Sequence, residues 1–279
     1  MPTFLSQLIP ALKLFWKNRL IVALCGLIDI AFFIALAFVH YEVLRRLASH
    51  VQAFLEEVQK ATLNMLTQED PMMLRQSLLK SASFMSAYHQ ILKFMIILLI
   101  AMLLTWVVFK SINWYFACRI VKGKVDFKGY IKYFVLYSLL WFLGLIIILV
   151  VFVSLTSYST SSVLPLIGST GTSIISFVLL LLLTYFAFIS YSLIPKIKFK
   201  EIFKTGFRKW KQIVPAYLIT AILTFLAAYI PIKIALWQHP AAYWIVLAFV
   251  IFISLPALSY GRIYISLIVN KEQIWIKKS

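Results

Sequence analysis

The sequence predicts an all-α integral membrane protein, and three observations lead to this fold class. Of the 279 residues, 63% are hydrophobic, whereas soluble domains are usually about 45–50% apolar. The apolar residues form runs of about 20, the length that a membrane-spanning helix needs. The 27 lysines and arginines lie in short clusters between those runs. We therefore expect anionic lipid headgroups, and not nucleic acid, as partners of the basic residues.

Six apolar runs are long enough to cross a bilayer, and they are predicted to be transmembrane helices. They are residues 20–39, 91–109, 134–155, 174–194, 213–231 and 241–260. The first run follows basic residues, as the core of a signal peptide does. It is longer than the roughly 7–15 residues of such a core, so we interpret it as a retained membrane anchor.

The loops between these runs predict the orientation. Basic residues are concentrated between runs two and three and between runs four and five, while residues 156–173 and 237–240 contain no Lys, Arg, Asp or Glu. Positive residues favour the cytoplasmic side of a membrane. We therefore expect a multi-pass protein of the cell membrane with both termini in the cytoplasm.

Each pair of predicted spanning helices follows a basic amphipathic segment, at residues 1–18, 120–133 and 196–212. Basic residues in these segments recur at every fourth position and therefore share one helix face. Such a helix is typical of the membrane surface. The segments either contact anionic lipid or only fix the topology, and the sequence permits both. The predicted lipid contacts are Lys124, Lys128, Lys132, Lys196, Lys200, Lys204, Arg208 and Lys211.

The connection 41–90 is long, polar and predicted to be extracytoplasmic. Its apolar residues from Leu44 to Met65 recur at steps of three and four, which indicates one stripe along a helix. We expect the first spanning helix to continue unbroken over Leu20–Leu66 and the second helix to cover Pro71–Asn113. The resulting helical hairpin either projects from the membrane or lies flat on its outer leaflet.

The chain is therefore predicted to contain three hairpins, each led by an interfacial helix, in a single membrane domain with one helical insertion. Lys124–Lys128 and Lys196–Lys200 match in residue pattern, so the hairpins are either true repeats or convergent basic elbows. This arrangement resembles a group of archaeal-type polytopic membrane proteins of uncharacterised function. It is more loosely similar to the six-helix membrane domain of some glycerophosphodiester phosphodiesterases. The resemblance implies a fold and carries over no catalytic residue.

Asp29 is the sharpest candidate for a functional residue, because it lies near the middle of the first predicted span. A charge at that depth costs about 2.5–3.5 kcal/mol on insertion scales. We expect Asp29 to be protonated or hydrogen-bonded, with no second buried charge beside it. Thr184, Thr224 and Ser254 fall at a similar depth, so one hypothesis is a polar mid-membrane site of these four residues. The alternative is that Asp29 makes one hydrogen bond that serves helix packing.

The remaining polar residues indicate no metal site and no cofactor. The histidines are predicted to be outside, and of these His40 and His89 could ligate zinc together with Glu42. The sequence contains no closely spaced histidine pair, so we expect solvated or interfacial histidines. The two cysteines, Cys25 and Cys118, are too few for a disulfide framework and are predicted to face the membrane.

Three functions remain open from the sequence. The favoured one is a non-enzymatic membrane protein that binds a protein partner through residues 41–90 or organises the cell envelope. The second is a transporter of a small molecule or a lipid that uses the polar site around Asp29. A membrane-embedded enzyme is the least favoured, because the sequence contains neither an H-E-x-x-H nor a G-x-S-x-G motif.

Overall fold

The computed structural model describes residues 4–65, 81–161, 168–194, 199–235, 246 and 249–276. These residues are helical apart from short links, and no β-strand occurs among them. A short 3₁₀-helix at Phe4–Gln7 and a short π-helix at Val250–Ser254 accompany the eight α-helices of the described residues. The helices are α1 (Leu8–Lys17), α2 (Arg19–Met65), α3 (Ala82–Lys122), α4 (Phe127–Ser161), α5 (Ser169–Leu193), α6 (Phe199–Arg208), α7 (Trp210–Ala235) and α8 (Leu255–Ile276).

Four of these helices contain segments that are long and apolar enough to span a membrane. The segments are Arg19–Lys60, Ala82–Lys122, Phe127–Tyr158 and Thr170–Leu193. Each overlaps one of the first four predicted runs, and the first three extend well beyond the predicted bounds. Helix α7 contains the fifth predicted run within its 26 residues, whereas much of the sixth run, 241–260, lies outside the described residues.

The chain divides into two compact units. The first unit combines Met1–Ile30 with Val107–Ser279, and the second is Ala31–Trp106. The described parts of the predicted insertion 41–90 belong to the second unit.

Helix α8 is the centre of the first unit. It packs against α1, α5 and α7, while α4 packs along α5 and α6 packs on α5. Every residue of 261–270 is buried, and a helix buried on all sides is surrounded by other elements. Gly261 permits the close approach of α7, since a Cβ atom at that position would lie 2.4 Å from the Thr220 Cγ2 atom. Since α8 ends at Ile276, it continues well beyond residue 260, where the sixth predicted run ends.

The second unit is a pair of antiparallel helices formed by residues 31–65 of α2 and 81–106 of α3, here called the helix pair. The rings of Phe54 and Phe84 lie 4.8 Å apart, and His50 stacks on Phe94 at 5.5 Å. The Ser81 hydroxyl donates a hydrogen bond of 3.1 Å to Glu57.

The apolar stripe of the sequence is thus used partly within the helix pair, where Leu47 is buried. The expectation that helix one continues unbroken through the stripe is confirmed, because α2 runs from Arg19 to Met65. The predicted helix start at Pro71 lies outside the described residues.

Two of the three predicted interfacial segments contain a separate short helix, which is α1 within 1–18 and α6 within 196–212. The prediction of a third separate helix at 120–133 is wrong. Gly123 has a φ of 80°, a left-handed conformation that ends α3. The carboxylate of Asp126 then accepts a hydrogen bond of 2.8 Å from the Gly129 amide and caps the start of α4. The segment therefore holds the end of one long helix and the beginning of another.

Candidate functional site

Asp29 lies on α2, ten residues after the helix begins at Arg19, and its side chain has no exposed surface. A carboxylate in such a place is expensive unless donors surround it. Asp29 accepts hydrogen bonds from Lys110 Nζ at 2.7 Å and from Asn113 Nδ2 at 2.8 Å, both on its Oδ1 atom. Its Oδ2 atom accepts a hydrogen bond from Arg262 Nη2. The carboxylate thus joins α2 to α3 and α8.

The sequence places these donors through helix periodicity. Lys110 and Asn113 are three residues apart on α3 and therefore lie on one face. Arg262 is on α8, the central helix of the first unit. The two cations are only 8% exposed, and Asn113 is fully buried. We call Asp29, Lys110, Asn113 and Arg262 the ion cluster.

The expectation that no second buried charge accompanies Asp29 is wrong. Lys110 directly follows the second predicted run and is one of the basic residues that the sequence predicts to be cytoplasmic. In the structure α3 continues for twelve more residues after Lys110, so the lysine lies inside a helix. Arg262 follows the sixth predicted run, which ends at residue 260, but it is buried on α8. A hydropathy window ends at each charge and so cannot detect two buried cations that pair with one buried carboxylate.

The ion cluster contains one carboxylate and two basic side chains, and both basic groups pair with Asp29. Arg262 Nη1, Asn113 Oδ1 and Ser259 Oγ are buried without a hydrogen-bond partner among the described residues. All three side chains line one small cavity, together with Val22, Cys25, Ala117, Ile120 and Ile263. Its volume is about 10 Å³, which is close to the space that one water molecule needs.

The volume of this cavity limits what the ion cluster can bind. Sites for organic ligands are typically about 300–1,000 Å³. The carboxylate of Asp29 is closed off by its donors, and the polar cavity beside them holds no more than about one water. The ion cluster therefore joins α2, α3 and α8, and the cavity beside it is far smaller than a typical site for an organic ligand.

Thr184, predicted to lie near Asp29, is instead on α5 and bonds elsewhere. Its hydroxyl donates to the Leu180 carbonyl at 2.9 Å and shares a short hydrogen bond with the Tyr217 hydroxyl. Ser254 is buried at the end of the short π-helix. Thr224 lies on α7, but its side chain is outside the described residues. Among the described side chains, Asp29 bonds to Lys110, Asn113 and Arg262, and the structure does not bring Thr184 or Ser254 to it.

The residues predicted to contact anionic lipid lie on three elements. Lys124 precedes α4, Lys128 and Lys132 are in its first turns, and Lys200, Lys204 and Arg208 are on α6. Lys211 is in the first turn of α7. All seven are exposed, and Lys196 lies outside the described residues.

A second buried polar group surrounds Cys118. The Tyr130 hydroxyl donates to the Tyr191 carbonyl at 2.9 Å, and Asn270 Nδ2 donates to the Ser192 carbonyl at 3.0 Å. The Cys118 thiol lies 3.5 Å from the same Tyr191 carbonyl. The prediction that both cysteines face the membrane is wrong, since Cys25 and Cys118 are buried in the first unit.

Residues 4–65, 81–161, 168–194, 199–235, 246 and 249–276 contain no group of three His, Cys, Asp or Glu side chains that could hold a metal ion. His50 stacks on Phe94.

The helices of the described residues indicate the class of this molecule. It is an all-helical protein with four described helices that are long and apolar enough to cross a membrane, which indicates a membrane protein. No family model, no curated protein and no solved structure matches the chain.

Proposed function

We propose that this chain is a non-enzymatic, multi-pass protein of the cell membrane that acts as a scaffold. Its six spanning helices are arranged in three hairpins with both termini in the cytoplasm. The ion cluster fixes the helices around α8, and the helix pair binds a protein partner on the extracytoplasmic side. The observation that carries this proposal is the closed state of Asp29, which is fully buried beneath three donors.

The closed carboxylate supports a scaffold over a transporter for a physical reason. A transport site must bind and release its cargo, so its polar groups need an opening to water at some stage. The donors of Asp29 lie on two other helices, which are α3 and the central helix α8. Opening the site would break two buried ion pairs, and a broken buried pair costs about 3–5 kcal/mol. The cluster is better suited to holding one arrangement of the helices.

The helix pair supplies a surface for a partner. Leu44, Leu55 and Leu63 are 43%, 52% and 65% exposed on α2. At 100° per residue they lie within about 100° of one another, on the side of the helix away from His50. His50 contacts α3, so the leucines are on the outer face of the pair.

The test is photo-crosslinking in native membranes. A benzoylphenylalanine at position 63 should give a specific adduct whose mass identifies either a second copy of the chain or another protein. Leu55→Lys should abolish that adduct, while Ala53→Lys, at an exposed position on another side of α2, should leave it intact. Equal adducts in both variants, or none in the parent protein, would refute partner binding through this face.

A transporter is the second candidate, favoured by the burial of three ionisable side chains in the ion cluster. Intramembrane charges are by default a reason to suspect transport. Asp29, Lys110 and Arg262 can be replaced together by leucine to separate the two functions. A scaffold should keep its partner adduct in this triple variant if the helices still assemble. A transporter would lose uptake activity while retaining the fold.

A further inference from the structure

An apolar groove lies between α5, α6 and α7, far in the sequence from the residues of the ion cluster. Its volume is about 490 Å³, which is within the range of sites that hold organic ligands. Its walls include Leu182 of α5, Phe207 of α6, and Trp210 and Leu218 of α7. The ring of Phe207 is 68% exposed and that of Trp210 is 53% exposed, so the groove is open at the surface.

The tyrosines of the groove present no free hydroxyl to a ligand. Tyr185 donates its hydroxyl to the Gly206 carbonyl at 3.0 Å, and Tyr217 shares a hydrogen bond with Thr184. Their rings therefore add to an apolar lining. Gly206 sets the depth at which α6 lies on α5, because a Cβ atom there would lie 2.7 Å from the ring of Phe186.

Positive charge lies at the edge of this groove. Lys211 follows Trp210 directly, and its ammonium group is 5.9 Å from the centre of the indole ring. Lys204 and Arg208 are exposed on α6, the helix that forms one wall. A ligand that fits both features has a long apolar chain and an anionic head. In a membrane, that description is met by an anionic phospholipid.

We propose that this groove is a binding site for an anionic phospholipid, with an acyl chain along Trp210 and Phe207 and the phosphate at Lys211. This site rests on the proposed function in one respect, namely that the chain is a membrane protein, and it takes α6 to lie at the membrane surface, as the basic segment 196–212 predicts. It goes beyond the general attraction of basic residues for anionic lipid, because it assigns one lipid to one groove. The lipid would fasten α6 to the two spanning helices that flank it and so stabilise this side of the scaffold.

Quenching of Trp210 fluorescence by brominated lipid tests the site. The chain has eight tryptophans, so the contribution of Trp210 is obtained as the difference between the full-length parent protein and its Trp210→Phe variant. Both are reconstituted in phosphatidylcholine vesicles that contain a minor fraction of phospholipid brominated on the acyl chain. In one arm the brominated lipid is phosphatidylglycerol, and in the other it is phosphatidylcholine.

We expect brominated phosphatidylglycerol to quench Trp210 several-fold more effectively than brominated phosphatidylcholine. Lys211→Glu should remove most of this preference, because one basic residue at a membrane surface changes the affinity for anionic lipid about fivefold. Lys13→Glu, the same charge change at an exposed position of α1, should leave it unchanged.

The outcomes separate this site from the membrane placement on which it rests. Equal quenching by both brominated lipids would overturn the anionic site while leaving α6 at the membrane. The absence of quenching by either lipid would overturn the placement as well. An equal loss of preference in Lys211→Glu and Lys13→Glu would mean that the lipid responds only to net charge, which also refutes the site.

Discussion

Replacing Asp29 by asparagine tests the ion cluster most sharply, because the change removes one charge and almost no volume. The carboxylate uses Oδ1 for Lys110 and Asn113 and Oδ2 for Arg262. An asparagine has one acceptor and one donor at these places. If its oxygen serves Lys110 and Asn113, its NH₂ group faces the guanidinium of Arg262. At least one of the two buried cations then faces an N–H group of the asparagine in place of a carboxylate oxygen.

The expected cost follows from the burial of the partners. Removing one member of a buried ion pair costs about 3–5 kcal/mol, since the other member stays buried without compensation. Here Lys110 and Arg262 are each 8% exposed, so water can relieve little of this cost. We therefore expect Asp29→Asn to lower the free energy of unfolding by about 3–5 kcal/mol. Reversible unfolding in mixed detergent micelles measures this quantity.

Two further variants test whether the cost of Asp29→Asn comes from the buried charges. Asp126→Asn is the matched control, because Asp126 caps α4 at an exposed position and asparagine is an equally good cap. We expect it to change stability by no more than about 0.5 kcal/mol. Replacing Asp29, Lys110 and Arg262 together by leucine should recover most of the loss, since apolar replacement of a whole buried cluster is often neutral or stabilising. A cost below about 1 kcal/mol for Asp29→Asn would refute the account of the cluster.

Three further predictions concern single positions and can be checked by the same unfolding measurement or by a density map. Gly123→Ala should destabilise the protein by about 1–2 kcal/mol, because its φ of 80° is left-handed. Gly168→Ala is the control and should cost far less, because a Cβ atom there would have no neighbour within 4 Å and the glycine has no left-handed φ. Gly261→Ala should cost about 1–3 kcal/mol, because the new methyl group meets Thr220 at 2.4 Å, and a change below about 0.5 kcal/mol would contradict the close packing of α7 on α8. A map that resolves ordered solvent should show one water between Ser259 and the cluster, and density for an ion or for no molecule would contradict this expectation.

The sequence was sufficient to predict the elements that depend on local patterns. Apolar runs of spanning length identified the four segments that the structure supports, and the stripe from Leu44 to Met65 correctly indicated an unbroken α2. The turn at Gly123 was missed, although a glycine followed three residues later by Asp126 is a signal for one helix to end and another to begin.

The partners of Asp29 could not be deduced from the same patterns. The depth of a residue in the membrane is predicted from the ends of the apolar runs, and the second run ends directly before Lys110. Lys110 and Arg262 lie beyond such ends and are nevertheless buried, so the runs do not reveal the residues that bind Asp29. A usable signal was present in Lys110 and Asn113, whose spacing of three puts two long polar side chains on one face of an apolar helix. That these two residues meet Arg262 of α8 at Asp29 depends on tertiary packing, which the pattern of a single sequence does not show.

Asp29 is locked between α2, α3 and α8 and has no exposed surface. An experimental density map of the full chain in a lipid nanodisc tests this arrangement directly. We expect the Asp29 carboxylate to contact Lys110, Asn113 and Arg262, with space beside it for about one water. A water-filled cavity that reaches Asp29 from either side of the membrane would contradict the scaffold and make transport the better explanation.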